Sequence, residues 1–379
     1  MDVDRAFPVL AGATRRCRFL PPNTSAHLQP QDAGIIQSFK SQMNKIRNAY
    51  VVDKLDELLE QVDGMGKENV EINGEQLFDV NNLVAMRWAQ EGLTQSQIHF
   101  FHENGYLHLT NELSDDICRS LRQRAMHHVE RYAQNASTFP TNQSTQDSAD
   151  RAFLDSSDKV HCFYEKDALN FAGELLVPPQ NAVSKIGHNL HNLDPLFQRI
   201  SYSDRVQSIL KSLDYRRPVA IQSMFIFKQP RIGGEVPPHQ DGSFLATDPQ
   251  SVIGIWWALQ DCTVDNGCLW GIPGSHRSFP IQRRFRRTTP SEIKRTGKLV
   301  TFDSQESLSV KCHVPILAEA GDAVLLHNAF VHSSEQNKSE HSRHAFTLHV
   351  VESKNTIYKA GNWLQPINGI ESLEPMYSS

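Results

Sequence analysis

Apolar and polar positions change period along this chain, and the changes mark its elements. Early on, Ile36, Phe39, Met43 and Ile46 recur at helical spacing with Lys40, Lys45 and Arg47 around them, which predicts an amphipathic helix. Leu93-Thr94 opens a second pattern, in which a Thr N-cap predicts a short helix that stops at Gly105, followed by a strand over 106–109. Ser114-Asp115-Asp116 then starts a helix with acidic residues at its positive end and Ile117, Leu121 and Ala125 on one face. His127 and His128 near its end read as solvated, and neighbours on a helix point too far apart to share a metal. Residues 133–158 are polar and aperiodic, as in a loop or lid. Beyond Val219 the β-branched and aromatic run of residues 219–227 predicts a buried strand. Pro230, Gly233, Gly234, Pro237 and Pro238 turn the chain after it, and strands separated by Pro/Gly turns dominate from there.

Composition narrows the classes. A length of 379 residues allows one large or two modest domains, and 39% hydrophobic residues suffice for a sizeable core. The net charge of −5 gives no global case for nucleic acid. No apolar stretch approaches the roughly 20 residues that cross a bilayer, so no membrane partner is expected. Met1-Asp2-Val3-Asp4 lacks the design of a signal peptide, and Tyr377-Ser378-Ser379 is not a Ser-Lys-Leu address. The six cysteines (17, 118, 162, 262, 268 and 312) form no Cys-x-x-Cys pair, which suits a reducing compartment, and a cytoplasmic location is expected.

Candidate chemistry gathers at His239-Gln240-Asp241. On a strand, residues two apart face the same side, so an imidazole and a carboxylate would stand together. They make two thirds of the 2-His-1-carboxylate triad that holds non-haem Fe(II). The stretch from Gly321 to Ser334 offers two candidates for the missing ligand, His327 and His332. A lone His-x-Asp is common in proteins without metal, so the pair needs support from its surroundings.

That support comes from Gly254-Ile255-Trp256-Trp257-Ala258-Leu259-Gln260-Asp261, from residues 265–276, from Ser184-Lys185-Ile186-Gly187-His188 and from Asn362-Trp363-Leu364-Gln365-Pro366. In this order, with the His-x-Asp and the 321–332 stretch, they resemble the phytanoyl-CoA dioxygenase family from about Leu93 to Ser379. The resemblance implies a mainly β domain with flanking helices, a double-stranded β-helix or jelly roll of the cupin-like kind. It implies Fe(II) held by His239, Asp241 and His332, with 2-oxoglutarate as cosubstrate, O2 as oxidant and ascorbate as reductant. Arg343 would grip the far carboxylate of 2-oxoglutarate and Ser334 would add a hydroxyl donor, while Lys185, Met224 and Trp256 would line the cosubstrate pocket. The plain alternatives are a surface ion pair for Lys185 and simple core for Met224 and Trp256. The implied reaction hydroxylates a small organic substrate, such as an acyl-CoA or carboxylate, and releases succinate and CO2. A halogenating site is disfavoured, because it would leave the position of Asp241 to Gly or Ala. The basic run Arg283, Arg284, Arg286, Arg287, Lys294, Arg295 and Lys298 reads either as a solvated loop or as a collar for an anionic substrate.

Residues 1–92 follow another pattern. Leu20-Pro21-Pro22-Asn23-Thr24 and Leu28-Gln29-Pro30-Gln31-Asp32-Ala33-Gly34, the basic helix after them and residues 77–89 resemble the end of a pogo/Tigger-type DDE transposase catalytic domain. This would be a partial α/β, RNase H-like piece. Such enzymes need three carboxylates around two metal ions, and Asp32 matches only the third, so the segment is expected to be inactive. Two domains are therefore expected, 1–92 and 93–379. The competing functional reading is a non-catalytic DNA-associated protein, touching nucleic acid through residues 1–92, with the jelly roll as passenger.

Overall fold

Strand order explains how residues far apart in sequence come to share one site. The computed structural model describes residues 26–28, 70–72, 92–138, 151–170, 174–304 and 308–377. The chain divides into two compact units, Met1–Trp88 and Ala89–Ser379. In the first, strand β1 (Ala26–Leu28) pairs antiparallel with β2 (Val70–Ile72). Asp32 and the helix expected around Ile36–Ile46 lie outside the described residues, as do most of the residues carrying the transposase resemblance.

The second unit opens as its sequence predicts. Thr94 caps α1 (Gln95–Asn104) in a reciprocal capping box with Gln97, and Gly105 ends it at φ 79°, where only glycine is unstrained. Strand β3 (Tyr106–Leu109) follows, then α2 (Asp115–Tyr132), capped by Ser114. The polar stretch after α2 is not all loop. It holds the short strand β4 (Ser137–Thr138) and a helical turn, Arg151–Asp155, that buries Phe153. Strands β5 (Val160–Tyr164) and β6 (Val183–His188) come next, then helices α3 (Pro195–Ser201) and α4 (Asp204–Ser212).

The remaining strands are β7 (Pro218–Ile226), β8 (Val236–His239), β9 (Thr247–Asp248), β10 (Ile253–Ala258), β11 (Leu269–Gly271), β12 (Phe285–Arg287), β13 (Val300–Phe302), β14 (Val314–Ile316), β15 (Ala323–His327), β16 (His332–Ser334), β17 (Ala345–Glu352) and β18 (Ile357–Tyr358). Among the described residues the larger sheet runs β3-β15-β10-β17-β7-β6-β5-β4 and the smaller β14-β11-β16-β8. From β7 the chain passes back and forth between them: β7, β10, β15 and β17 enter the larger sheet while β8, β11, β14 and β16 enter the smaller, β11 and β14 following one another there around the separate β12–β13 pair. Antiparallel strands wound in this order form a jelly roll. Mainly β with flanking helices, the unit has the architecture expected from its strand pattern.

Why β10 reads as an unbroken apolar run is a matter of its two faces. Trp256 faces the cavity described below, whereas Trp257 stacks on Phe346 at 5.6 Å, and Phe346 meets Phe197 of α3 at 4.9 Å. Both faces are covered, so alternation disappears. One apolar cluster, around Trp256, Leu269, Val324 and Phe330, sits between the sheets, and a second gathers Phe153, Phe163, Phe285 and Trp363. His128, expected to be solvated, is buried instead, because α2 turns it toward the buried carboxylate of Asp194, 2.8 Å away. Among the described residues no helix is long and apolar enough to cross a membrane.

Candidate active site

The smaller sheet places the two imidazoles. His332, at the start of β16, is the register partner of His239, at the end of β8, and their ring centroids are 4.2 Å apart. Asp241 does not continue β8; it begins a 3-10 turn, Asp241–Ser243. Strand alternation therefore does not bring it beside His239, as expected from the His-x-Asp spacing; the turn does. Neighbouring residues pin that turn. The Gln240 amide donates to Phe279 O at 2.7 Å and to Ala329 O at 2.8 Å, and Gly242 N–H donates to Asn328 O at 2.8 Å.

In the result, His239 Nε2 lies 3.7 Å and His332 Nε2 3.6 Å from Asp241 Oδ1. Among the described residues these three form the group that could hold a metal ion, with ligand atoms within 4.8 Å of one another. The outer ring nitrogens fix the tautomers. His239 Nδ1 is 2.9 Å from Pro237 O and His332 Nδ1 is 3.0 Å from Phe330 O. A carbonyl only accepts, so each Nδ1 carries a hydrogen and each Nε2 is the ring nitrogen that faces Asp241. Burial, helped by the neighbouring His332, lowers the His239 pKa to about 4, so its ring is neutral near pH 7. Burial works against the ionised Asp241, but the imidazoles of His332, His349 and His239 outweigh it and hold the carboxyl below its usual range.

His327 is elsewhere. Its Nδ1 accepts from Ala329 N–H at 3.2 Å, and its ring packs 4.8 Å from His276 and 6.1 Å from Phe101, outside the cavity wall. Among the two third-ligand candidates, only His332 stands with His239 and Asp241.

A cavity of about 300 Å³ opens beside the triad, and every residue expected around the cosubstrate lines it: Lys185, Met224, Trp256, Ser334 and Arg343. Arg343 is 2% exposed, lies 5.3 Å over the Trp256 ring and donates through Nη2 to Ser334 Oγ at 3.2 Å. Its Nε and Nη1 have no hydrogen-bond partner among the described residues. A buried guanidinium with unused donors on a cavity wall is suited to a carboxylate. The Ser334 hydroxyl donates to Gly267 O at 2.9 Å and accepts from Arg343, which it orients on the cavity wall. Lys185 is no surface ion pair: it faces the cavity, half-buried, with its pKa pulled down to about 8 by burial against the opposing charge of Glu165.

Sequence reasoning missed several lining residues. Lys228 and Glu165 clamp Gly234 from two sides, Lys228 donating to its carbonyl at 2.6 Å and Glu165 accepting from its N–H at 3.2 Å. Burial brings both toward neutrality, Lys228 down to about 7 and Glu165 up to about 7. His349 places Nε2 3.4 Å from Asp241 Oδ2, with Gly254 alongside; a Cβ at 254 would come within 3.0 Å of that oxygen. The His-rich segment around β17 was the only signal for it. The basic run is also more ordered than a solvated loop. Arg286 is forked onto Glu292 at 2.9 and 2.7 Å, Arg287 donates to Trp363 O at 2.9 Å, and Arg283 lines the cavity, 4.1 Å over the Phe302 ring.

Comparison with known proteins places this site in context. The family profile described as Phytanoyl-CoA dioxygenase (PhyH) matches residues 101–345. A phytanoyl-CoA dioxygenase of Arabidopsis thaliana is 42% identical over 286 residues, covering 75% of this chain and 97% of that protein. Phytanoyl-CoA dioxygenase domain-containing protein 1 of Mus musculus is 41% identical over 295 residues, covering 76% and 99%. Its Danio rerio counterpart is 43% identical over 282 residues, covering 72% and 95%. Among solved structures, the non-heme alpha ketoglutarate dependent carbocyclase SnoK from nogalamycin biosynthesis aligns with a TM-score of 0.49 at 18% identity, over 76% of this chain and 93% of that one.

Proposed function

The chain belongs to the phytanoyl-CoA dioxygenase family and is a 2-oxoglutarate-dependent iron dioxygenase; on that premise we propose that it hydroxylates a small organic substrate, with release of succinate and CO2. The observation that carries this reading is the convergence of His239, Asp241 and His332 beside the unused donors of the buried Arg343.

The residues present fit both groups that the family implies. For Fe(II), two imidazoles held through their Nδ1 atoms and one ionised carboxylate form a donor set of the right type and count, leaving positions for cosubstrate and O2. For 2-oxoglutarate, Arg343 offers a planar pair of donors held by Ser334 and Trp256, and Lys185 adds a second cation. When bound together, Fe(II) and 2-oxoglutarate supply the O2 activation that places one oxygen atom in the substrate and one in succinate. The chain's own contribution is positional. Trp256, Met224 and Leu269 bury the cosubstrate end from water, so the Arg343 contact acts in a low dielectric. Pro237 and Phe330 carbonyls hold the ligand rings, and the Gln240 clamp holds the turn that carries Asp241. The reading is tested with purified protein, Fe(II), ascorbate and 2-oxoglutarate by following succinate; iron-dependent succinate supports it, and its absence refutes it.

A further inference from the structure

The cavity has two unlike ends. Around the cosubstrate Arg343 supplies charge, while Lys185, also on the wall, lies 5.3 Å over the Phe163 ring. On the other side of the triad the wall is made of rings. His239 meets Phe244 at 5.9 Å, Phe244 meets Phe285 at 5.7 Å and Phe285 meets Phe153 at 6.2 Å. The series closes on Phe153 and Trp363, stacked at 4.3 Å, with the His188 ring 5.5 and 5.1 Å from them.

His188 is a polar group in this aromatic wall, which also carries Arg283 over the Phe302 ring, and its hydrogen bonds settle which nitrogen is which. It is 1% exposed and lines the cavity. Its Nδ1 lies 2.8 Å from Ser156 Oγ, and that hydroxyl donates its single hydrogen to Phe153 O at 2.6 Å. Ser156 can therefore only accept from the imidazole, so Nδ1 carries the proton and Nε2 the lone pair. Nε2 has no partner among the described residues. Burial, reinforced by the charge of Lys185, holds the ring's pKa well below its ordinary value, so it stays a neutral acceptor. A buried acceptor without a donor is unfavourable in the folded protein and marks a place where a ligand completes the bonding.

We propose that His188 Nε2 accepts a hydrogen bond from an O–H or N–H group of the prime substrate, and that this substrate brings a small aromatic or flat apolar group into the ring-lined end of the cavity. The proposal rests on the dioxygenase reading and adds to it the chemistry of the substrate. Size points the same way. About 300 Å³ lies at the lower bound of ligand sites and must also hold 2-oxoglutarate. A single ring or fused pair can enter; a coenzyme A moiety has to stay outside. Sites built to pair a substrate hydroxyl or amine reject analogues that lack it, because the buried partner is then left unpaired.

The test uses the full chain loaded anaerobically with Fe(II) and 2-oxoglutarate, titrated calorimetrically with two matched probe pairs: indole against 1-methylindole, and benzyl alcohol against benzyl methyl ether. The uncapped member of each pair should bind about tenfold or more tightly than its methylated counterpart. His188→Phe should reduce that ratio to about one without changing 2-oxoglutarate affinity. His188→Gln keeps an acceptor oxygen and should retain part of the preference. Ser156→Ala frees Nδ1 from its fixed tautomer and should weaken it. Equal binding of capped and uncapped probes, a preference that survives His188→Phe, or no binding of any of the four overturns the proposal alone. Failure of 2-oxoglutarate to bind the Fe(II)-loaded wild type overturns the dioxygenase reading, and this proposal with it.

Discussion

His239 and His332 are cross-strand partners in one antiparallel ladder, with ring centroids 4.2 Å apart, although ninety-odd residues of chain separate them. The spacing of the two imidazoles is thus a property of the β8–β16 register. A one-residue slip would turn one of them away.

Metal affinity should follow from this pairing. His239→Ala removes one of the three candidate ligands, and its neighbours cannot move into its place, since His332 is already committed through Phe330 O. Loss of a supporting residue around a metal typically costs 10–100-fold in affinity, so loss of a ligand should cost on the order of a hundredfold or more. Equilibrium titration with Fe(II) under anaerobic conditions measures it; unchanged affinity would mean that the ion sits elsewhere.

Arg343→Lys should weaken 2-oxoglutarate binding while leaving the fold in place. A point charge replaces a planar fork, and one charged hydrogen bond of about 1.5–3 kcal/mol is lost, roughly ten- to a hundredfold in KM. An unchanged KM for 2-oxoglutarate would show that Lys185 or Lys228 holds the far carboxylate instead.

Acid stability should carry the mark of Asp194. Burial alone would raise its pKa, but hydrogen bonds from His128 and Arg124 outweigh it and bring it to about 2. The folded value lies below the unfolded one, so the stabilisation is present above about pH 4 and is lost as pH falls toward about 2. A lowering of this size corresponds to a few kcal/mol at most. Urea unfolding at stepped pH should show this acid-dependent loss in the wild type and a shallower slope in Asp194→Asn.

These cases show how far the sequence could be read. The Thr94 cap and the Gly105 stop are local signals, and the structure follows them. His239, Asp241, His332 and Arg343 were legible through the motif order, not through periodicity. What stayed hidden was set by distant partners. His128 is buried because Asp194, sixty-six residues on, is brought beneath it. Phe153 sits in a polar stretch and still reaches an aromatic cluster built from Phe163, Phe285 and Trp363. Asp241 was expected on a strand, and a turn pinned by Gln240 carries it. The contact of the Ser334 hydroxyl with Gly267 O, sixty-seven residues away, had no sequence signal either.

Every residue placed around the metal and the cosubstrate belongs to the unit Ala89–Ser379. A chain beginning at Leu93 should therefore fold and keep the 2-oxoglutarate turnover of the full chain. Circular dichroism and succinate release check the two halves of that statement. Aggregation or lost turnover would mean that residues before Leu93 contribute to the second unit.

The most direct measurement is Fe(II)-dependent conversion of 2-oxoglutarate to succinate in three proteins side by side: wild type, His332→Ala and His327→Ala. The structure predicts turnover that a chelator abolishes in the wild type, none above background in His332→Ala, and substantial activity in His327→Ala. His332 stands 3.6 Å from Asp241, whereas His327 packs against His276 outside the cavity. Turnover retained in His332→Ala and lost in His327→Ala would contradict this account of the metal centre.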